Sequence, residues 1–145
     1  MYLGYQTNSR TNEEILAHVA DTKEGLLSIC TEYTKIEQTE EPVELINGTF
    51  YIGKDIERKK YELLALSLRT ERDAKLEATD YLLAPDYPIS PEDLEAVKAY
   101  RQALRDIPEQ SGFPKNVQWP VEPQFLSAKK KKKDEGSIGL AKVGL

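Results

Sequence analysis

Apolar residues recur at three- and four-residue steps in the middle of the chain, which is the spacing of one face of a helix. From Asp55 to about Ala78 there is no Gly or Pro, and most residues are good helix formers. The apolar stripe consists of Ile56, Tyr61, Leu63, Leu64, Leu66, Leu68 and Leu76. Charged residues fill the other side of this stretch. The pattern predicts a long helix, which Asp55 caps at its start.

A second, shorter helix is predicted directly after residue 89. Ser90 is a good N-cap and Pro91 suits the first helical position. The apolar positions that follow at helical spacing are Leu94, Val97, Tyr100 or Arg101, Leu104 and Ile107. Pro108 ends the pattern, because proline lacks an amide proton and crowds the preceding turn. Since a short connector, residues 80–90, joins the two helices, residues 54–108 are expected to form an antiparallel helical hairpin.

The first 53 residues contain short runs that favour β-strands. Asn47-Gly48 separates two such runs within residues 43–53, and this dipeptide predicts a β-hairpin with a type I′ turn. Residues 28–37 alternate between apolar and polar positions and predict a third strand, while residues 1–6 predict an edge strand.

One short helix is expected among these strands. Thr11 and Glu14 have the spacing of a capping box, and the residues that follow are Ile15, Leu16 and Val19. The predicted fold class is therefore α+β. A small N-terminal antiparallel sheet with one short helix (residues 1–53) precedes the helical hairpin.

The residues after the hairpin form two further segments. Residues 109–126 are predicted to be extended, because Phe113-Pro114 and Trp119-Pro120 place proline beside aromatic residues. Two roles remain open for Trp119: packing back on the hairpin, or anchoring in a pocket of a partner protein. Residues 127–145 are predicted to be a flexible tail that contains the lysine run Lys129–Lys133.

The charge distribution limits the classes of partner. Residues 1–128 carry 14 Lys and Arg against 23 Asp and Glu, whereas residues 129–145 carry six Lys against two acidic residues. The acidic body argues against a nucleic-acid-binding surface. The tail leaves electrostatic attachment to nucleic acid or to an acidic protein open, although no aromatic residue lies among its lysines for base stacking.

Few side chains in this sequence suit catalysis. His18, the only histidine, lies in the predicted short helix, where a structural or solvent-facing role is expected. The single Cys30 excludes an internal disulfide and gives no zinc ligand set, so a buried apolar role is expected. There is no phosphate loop, dinucleotide fingerprint or serine elbow. We therefore expect no enzyme, no metal and no cofactor.

No membrane partner is expected either. No apolar run approaches the roughly 18 residues that a spanning helix requires. The N-terminus lacks the pattern of a secretion signal.

Several motifs of residues 58–123 together resemble a known family. They are Asp80-Tyr81, Pro85 to Pro88, Ser90 with Glu92, Tyr100 to Asp106, Phe113-Pro114 and Trp119-Pro120. In this order they look like the C-terminal module of bacteriophage tail assembly chaperones, also labelled tail fibre assembly proteins. The resemblance implies a non-enzymatic protein that binds a phage tail or tail-fibre polypeptide during assembly and prevents its premature association. It also implies residence in the host cell cytoplasm during assembly.

The candidate residues for contact with the client protein are Tyr81, Tyr87, Tyr100, Arg101, Phe113, Trp119 and Phe125. Packing within the hairpin is the competing role for each of them, and Arg101 could instead pair with acidic residues of the first helix or with Asp106. The N-terminal region is interpreted as an oligomerisation or client-specific element, so a homo-oligomer is possible. The alternative function is a structural component of the virion tail, baseplate or fibre-attachment region. A nucleic-acid-associated factor that uses the lysine run is a third hypothesis.

Overall fold

The computed structural model describes residues 1–128, so the lysine run and the tail predicted around it lie outside the described residues. The strands are β1 (Tyr2–Thr7), β2 (Glu14–Ala20), β3 (Lys35–Gln38), β4 (Val43–Ile46) and β5 (Thr49–Ile52). The helices are α1 (Lys23–Ile29), α2 (Lys54–Glu77) and α3 (Pro91–Arg105), with 3₁₀ helices at Asp80–Leu83 and Ile107–Glu109. The predicted α+β class, an N-terminal antiparallel sheet followed by helices, is confirmed.

The chain divides into two compact units between Lys60 and Tyr61. The first unit contains a three-stranded antiparallel sheet with the strand order β2-β1-β3. The prediction of an edge strand at residues 1–6 is therefore wrong, because β1 pairs with β2 on one side and with β3 on the other. Helix α1 packs on β1 and β2, and Leu3 and Leu26 are buried there.

The predicted short helix over Ile15, Leu16 and Val19 is also wrong, because these residues belong to β2. Asn8 closes a tight turn in front of this strand: its amide donates to the Glu13 carbonyl at 2.8 Å, and its own carbonyl accepts from the Asn12 amide at 2.8 Å. The turn directs β2 back along β1. Pairing between strands therefore outweighs the local helix signal of the capping box.

Residues 28–37 do not form one strand. Ser28 and Ile29 end α1, and β3 begins only at Lys35. The side chain of Thr22 caps α1 by accepting from the Gly25 amide at 3.0 Å, and the helix then continues through this glycine. The third strand is thus shorter and later than predicted.

The β-hairpin predicted at Asn47-Gly48 is confirmed. β4 and β5 pair antiparallel as a separate two-stranded sheet, and the two turn residues have φ of 50° and 80°. Positive φ at both central positions is the requirement of a type I′ turn, which Asn-Gly satisfies at low cost.

The second unit consists of α2 from Tyr61 onward, α3 and the residues that follow them. Ser90 caps α3 as predicted, since its hydroxyl accepts from the Asp93 amide at 3.1 Å. Two apolar clusters bury one face of α3. One contains Leu82, Val97, Leu126, Tyr87, Ile89 and Phe125, and the other contains Tyr100, Leu104, Ile107, Leu76, Phe113, Val117 and Trp119.

The stripe predicted on α2 is buried only in part. Leu76, near the end of α2, packs against the second cluster, whereas Tyr61, Leu64 and Leu66 are 47%, 41% and 60% exposed. Residues 117–123 form neither helix nor strand, and residues 124–128 are helical. The extended part of the aromatic segment is therefore shorter than predicted.

Candidate functional site

A cleft of about 320 Å³ lies in the second unit between α2, α3 and the chain that follows α3. Its lining residues are Glu71, Ala74, Lys75, Ala78, Tyr100, Trp119, Pro120 and Glu122. Three of these, Glu71, Ala74 and Lys75, belong to α2, and Ala78 directly follows its last residue. Together the four have the spacing i, i+3, i+4 and i+7, which is one face of a helix. Because two of the four are alanines, which have short side chains, this face leaves room for a ligand. The aromatic part of the lining comes from Tyr100, which is largely buried, and from the half-buried Trp119.

Tyr100 is fixed by the core of α3. It is buried together with Leu104 and Ile107, one and two turns further along the chain. The second apolar cluster thus holds this wall of the cleft in one position.

Two cation–π contacts hold the aromatic segment on α2. The Arg69 guanidinium lies 5.2 Å from the centroid of the Phe113 ring, and the Lys75 ammonium lies 5.2 Å from the centroid of the Trp119 ring. Each such contact contributes about 0.5–1 kcal/mol at exposed sites. The two cations and the two rings are each six residues apart, in the same order. The segment therefore runs along α2 in the direction of the helix.

The side chain of Gln110 fixes the backbone just before Trp119. Its Nε2 donates to the Gln118 carbonyl at 2.9 Å, and its Oε1 accepts from the Gln118 amide at 2.8 Å. The loop between them is tight: the Asn116 amide donates to the Gly112 carbonyl at 2.7 Å, and a Cβ on Gly112 would overlap with the Asn116 carbonyl oxygen. We call residues 110–118 the clamp loop. It sets the position of Trp119 at the edge of the cleft.

Arg101 is buried and has a structural role at the end of α2. Its guanidinium donates to the Leu76 carbonyl at 2.5 Å and to the Thr79 hydroxyl at 2.7 Å, and it forms an ion pair with Asp80 at 2.7 Å. A cation at the C-terminal end of a helix satisfies free carbonyls and the helix dipole. The acidic partner is therefore in the connector, and neither α2 nor Asp106 supplies it.

The seven candidate contact residues lie in different places. Tyr100 and Trp119 line the cleft, whereas Phe113 and Arg101 support its surroundings. Tyr81 and Tyr87 form an edge-to-face pair at 5.1 Å in the connector, and Phe125 packs on the first apolar cluster. Sequence reasoning missed the α2 face and Gln110. A usable sequence signal for the α2 face is the helical spacing of Glu71, Ala74, Lys75 and Ala78. The contact between Gln110 and Gln118 has no such signal in the sequence.

The sites considered for metal or catalysis look different in the structure. His18 lies on β2 instead of a helix, its ring contacts Tyr33 edge-to-face at 5.8 Å, and its buried Nδ1 has no hydrogen-bond partner among residues 1–128. Cys30 is half-buried, and its sulfur accepts from Gln6 Nε2 at 3.2 Å. Within the described part of the chain, no group of three or more His, Cys, Asp or Glu residues could hold a metal ion. No helix there has the length and apolarity to cross a membrane.

Comparison with known proteins adds one finding. The family model described as phage tail assembly chaperone protein matches residues 65–124. Searches of curated proteins and of solved structures find no match. The matched segment includes every residue that lines the cleft, and the family suggests a role that is not enzymatic. Residues 65–124 are thus similar to the phage tail assembly chaperones, which confirms the resemblance in the sequence and supports a role in phage tail assembly.

Proposed function

We propose that this chain is a tail assembly chaperone that binds a phage tail or tail-fibre polypeptide during morphogenesis through the cleft of its second unit. The observation that carries the proposal is the position of the cleft, which lies wholly within the segment similar to tail assembly chaperones. The client-binding surface is then the α2 face, Tyr100 and the chain from Trp119 to Glu122. Tyr81, Tyr87 and Phe125 are proposed as secondary contacts outside the cleft.

The lining suits the recognition of a polypeptide. Aromatic residues in pockets dominate binding energy at many protein interfaces. The clamp loop and the cation–π contact with Lys75 hold Trp119 before a client arrives, which lowers the ordering entropy that binding costs. Val121, next to this wall, is 91% exposed and adds apolar surface outside the cleft.

A chaperone of this kind acts by covering an apolar or strand-edge surface of its client until assembly. The proposed location is the host cell cytoplasm. We assign the first unit to client choice or self-association. Neither activity requires a cofactor or a metal.

Mass spectrometry of purified phage particles beside a lysate of infected cells tests the proposal. We expect the protein to be abundant in the lysate and absent from the particles. Stoichiometric presence in particles would overturn the transient role and make the protein a component of the virion tail, baseplate or fibre attachment.

Affinity capture from the same lysate tests the cleft. We expect the tagged chain to retain a tail or tail-fibre protein, and Ala74→Gln, which fills the cleft from α2, to lower the retained amount at least fivefold. Ala96→Gln is the matched control, because Ala96 is an exposed alanine of α3 outside the cleft. Equal retention by both variants would remove the cleft from the mechanism.

A further inference from the structure

The length of the cleft limits the shape of its occupant. The cleft follows α2 from Glu71 to its end and reaches Ala78, whose amide still donates to the Ala74 carbonyl at 3.0 Å. These seven residue steps correspond to about 10 Å at 1.5 Å per residue. Three residues of an extended chain span about the same distance. The facing wall is a non-helical stretch with Trp119 and Pro120. An extended client segment with a footprint of three residues therefore fits between the two walls.

The apolar part of the cleft fits one side chain of that segment. Ala74 and Ala78 lie one turn apart and line the cleft together with Tyr100 and Trp119. A volume of about 320 Å³ corresponds to roughly ten water molecules at about 30 Å³ each, near the lower limit for ligand sites. This size suits a large aliphatic or aromatic side chain and its backbone, and it is small for a cofactor.

The charged part of the lining favours a cation. Two carboxylates, those of Glu71 and Glu122, face the cleft together with one ammonium, that of Lys75. The ammonium lies 3.3 Å from a Glu71 carboxylate oxygen and 5.2 Å from the centroid of the Trp119 ring, so Lys75 and Glu71 form an ion pair with each other. The lining therefore has a net charge of −1, on a chain whose residues 1–128 are acidic as a whole. Charge complementarity selects a basic client group.

In an extended chain, residues two apart project to the same side. We propose, resting on the chaperone function above, that the cleft takes an extended client segment with one apolar residue and one Lys or Arg two positions away. The apolar side chain enters between the alanines and the two aromatic rings, and the basic side chain meets the carboxylates at the rim. Either order along the client is compatible with the lining.

A peptide array tests this specificity with the full-length protein. The probes are blocked Gly/Ser peptides that carry Leu and a second residue two positions away, namely Arg, Lys, Ser or Glu, in both orders. We expect the Arg and Lys peptides to retain at least five times more protein than the Glu peptides, and the advantage to shrink in 0.5 M NaCl. A further series with Leu and Arg adjacent should retain less. Equal retention of all peptides, or a preference for Glu, would overturn the proposal.

Charge reversal at the rim provides the matched variants. Glu122→Lys changes the net charge of the lining from −1 to +1, and we expect the preference for Arg over Glu to fall at least fivefold. Glu109→Lys makes the same change at an exposed residue that does not line the cleft, and the preference should persist. An unchanged preference in Glu122→Lys would place recognition elsewhere.

Two further measurements distinguish other occupants of the cleft. A soluble peptide of residues 129–145 that displaces the protein from the array at micromolar concentration would make this chain's own lysine-rich end the occupant. Concentration-dependent dimerisation that Ala74→Gln abolishes would make a second copy the occupant. Either result would overturn the client assignment.

The array also separates this proposal from the chaperone function. If affinity capture from the lysate retains a tail protein but the array shows no preference, the chaperone function is supported and the proposed apolar–basic specificity is wrong. If the array shows the preference but affinity capture retains no tail protein, the cleft is a peptide-binding site and the chaperone function is wrong.

Discussion

Gln110 connects sequence positions that no local rule links. Its side-chain amide makes a donor and an acceptor bond to the backbone of Gln118, directly before the only tryptophan of the chain. The Gln110 side chain thus pairs with both the amide and the carbonyl of Gln118, as a neighbouring β-strand would. Trp119 can therefore stand at the edge of the cleft although residues 117–123 form no helix or strand.

The first prediction concerns this clamp. Gln110→Ala removes two neutral hydrogen bonds, and we expect it to lower the free energy of unfolding by roughly 1–3 kcal/mol. Because Trp119 loses its backbone support, acrylamide should quench its fluorescence about twice as efficiently in the folded variant. Gln102→Ala is the control, since Gln102 bonds only to Asp106 on the exposed side of α3 among the contacts described. Unchanged quenching in Gln110→Ala would show that other contacts fix Trp119.

The second prediction concerns the buried guanidinium of Arg101. Arg101→Ala leaves the Leu76 carbonyl, the Thr79 hydroxyl and Asp80 without this donor, and we expect unfolding to become easier by roughly 2–4 kcal/mol. Arg101→Lys should recover only part of this, because an ammonium lacks the planar fork that reaches three partners. Urea unfolding followed by circular dichroism measures both. Arg105→Ala, at an exposed residue one turn later, should stay within about 0.5 kcal/mol of the parent protein.

At the scale of elements, what the sequence predicts correctly depends on how local the cause is. The caps at Ser90 and the turn at Asn47-Gly48 follow from the conformations of a few neighbouring residues, and both are present. β2 is missed because Ile15, Leu16 and Val19 fit a helix face, and only the pairing with β1 decides against it.

The residues of the cleft also divide into those that the sequence predicts and those that it does not. Trp119 is recognisable from the sequence because it lies beside a proline in an aromatic segment, and Tyr100 because it lies on the apolar stripe of α3. Ala74 and Ala78 share a helical spacing with Glu71 and Lys75, which is a usable signal for a common face, but the spacing does not show that this face is left uncovered. The clamp by Gln110 joins residues eight positions apart through a side chain, and no periodicity predicts it.

The third prediction tests the local character of the β4–β5 turn. Gly48 has φ of 80°, and a Cβ there would meet no atom within 4 Å, so substitution affects only the backbone. We expect Gly48→Ala to lower the free energy of unfolding by about 1–2 kcal/mol, the cost of a left-handed conformation for an L-residue. Gly48→Asn should lose less, because asparagine tolerates this region. If Gly48→Ala unfolds at the same urea concentration as the parent protein, the assignment of a left-handed conformation to residue 48 is wrong.

At the scale of the whole molecule, charge links the acidic chain to the proposed basic client. The chain has a formal net charge of −5 at pH 7, with 25 Asp and Glu against 20 Lys and Arg. The electrostatic field of an acidic protein speeds its encounter with basic partners. At 0.1 M salt this field is largely screened beyond about 10 Å. The cleft then selects among the clients that this field attracts.

The fourth prediction follows from this long-range electrostatic attraction. Stopped-flow mixing with a peptide that carries an apolar residue and Arg two positions away, detected by Trp119 fluorescence, should show an association rate that falls about fivefold between 0.02 and 0.5 M NaCl. The dissociation rate should change less, because it reflects the apolar contacts with Tyr100 and Trp119. Glu109→Lys changes only the distant field, so it should lower the association rate slightly and leave dissociation unchanged. Glu122→Lys should affect both rates, since Glu122 lines the cleft itself. An association rate independent of salt would mean that charge plays no part in client capture, and only the apolar contacts would remain to explain it.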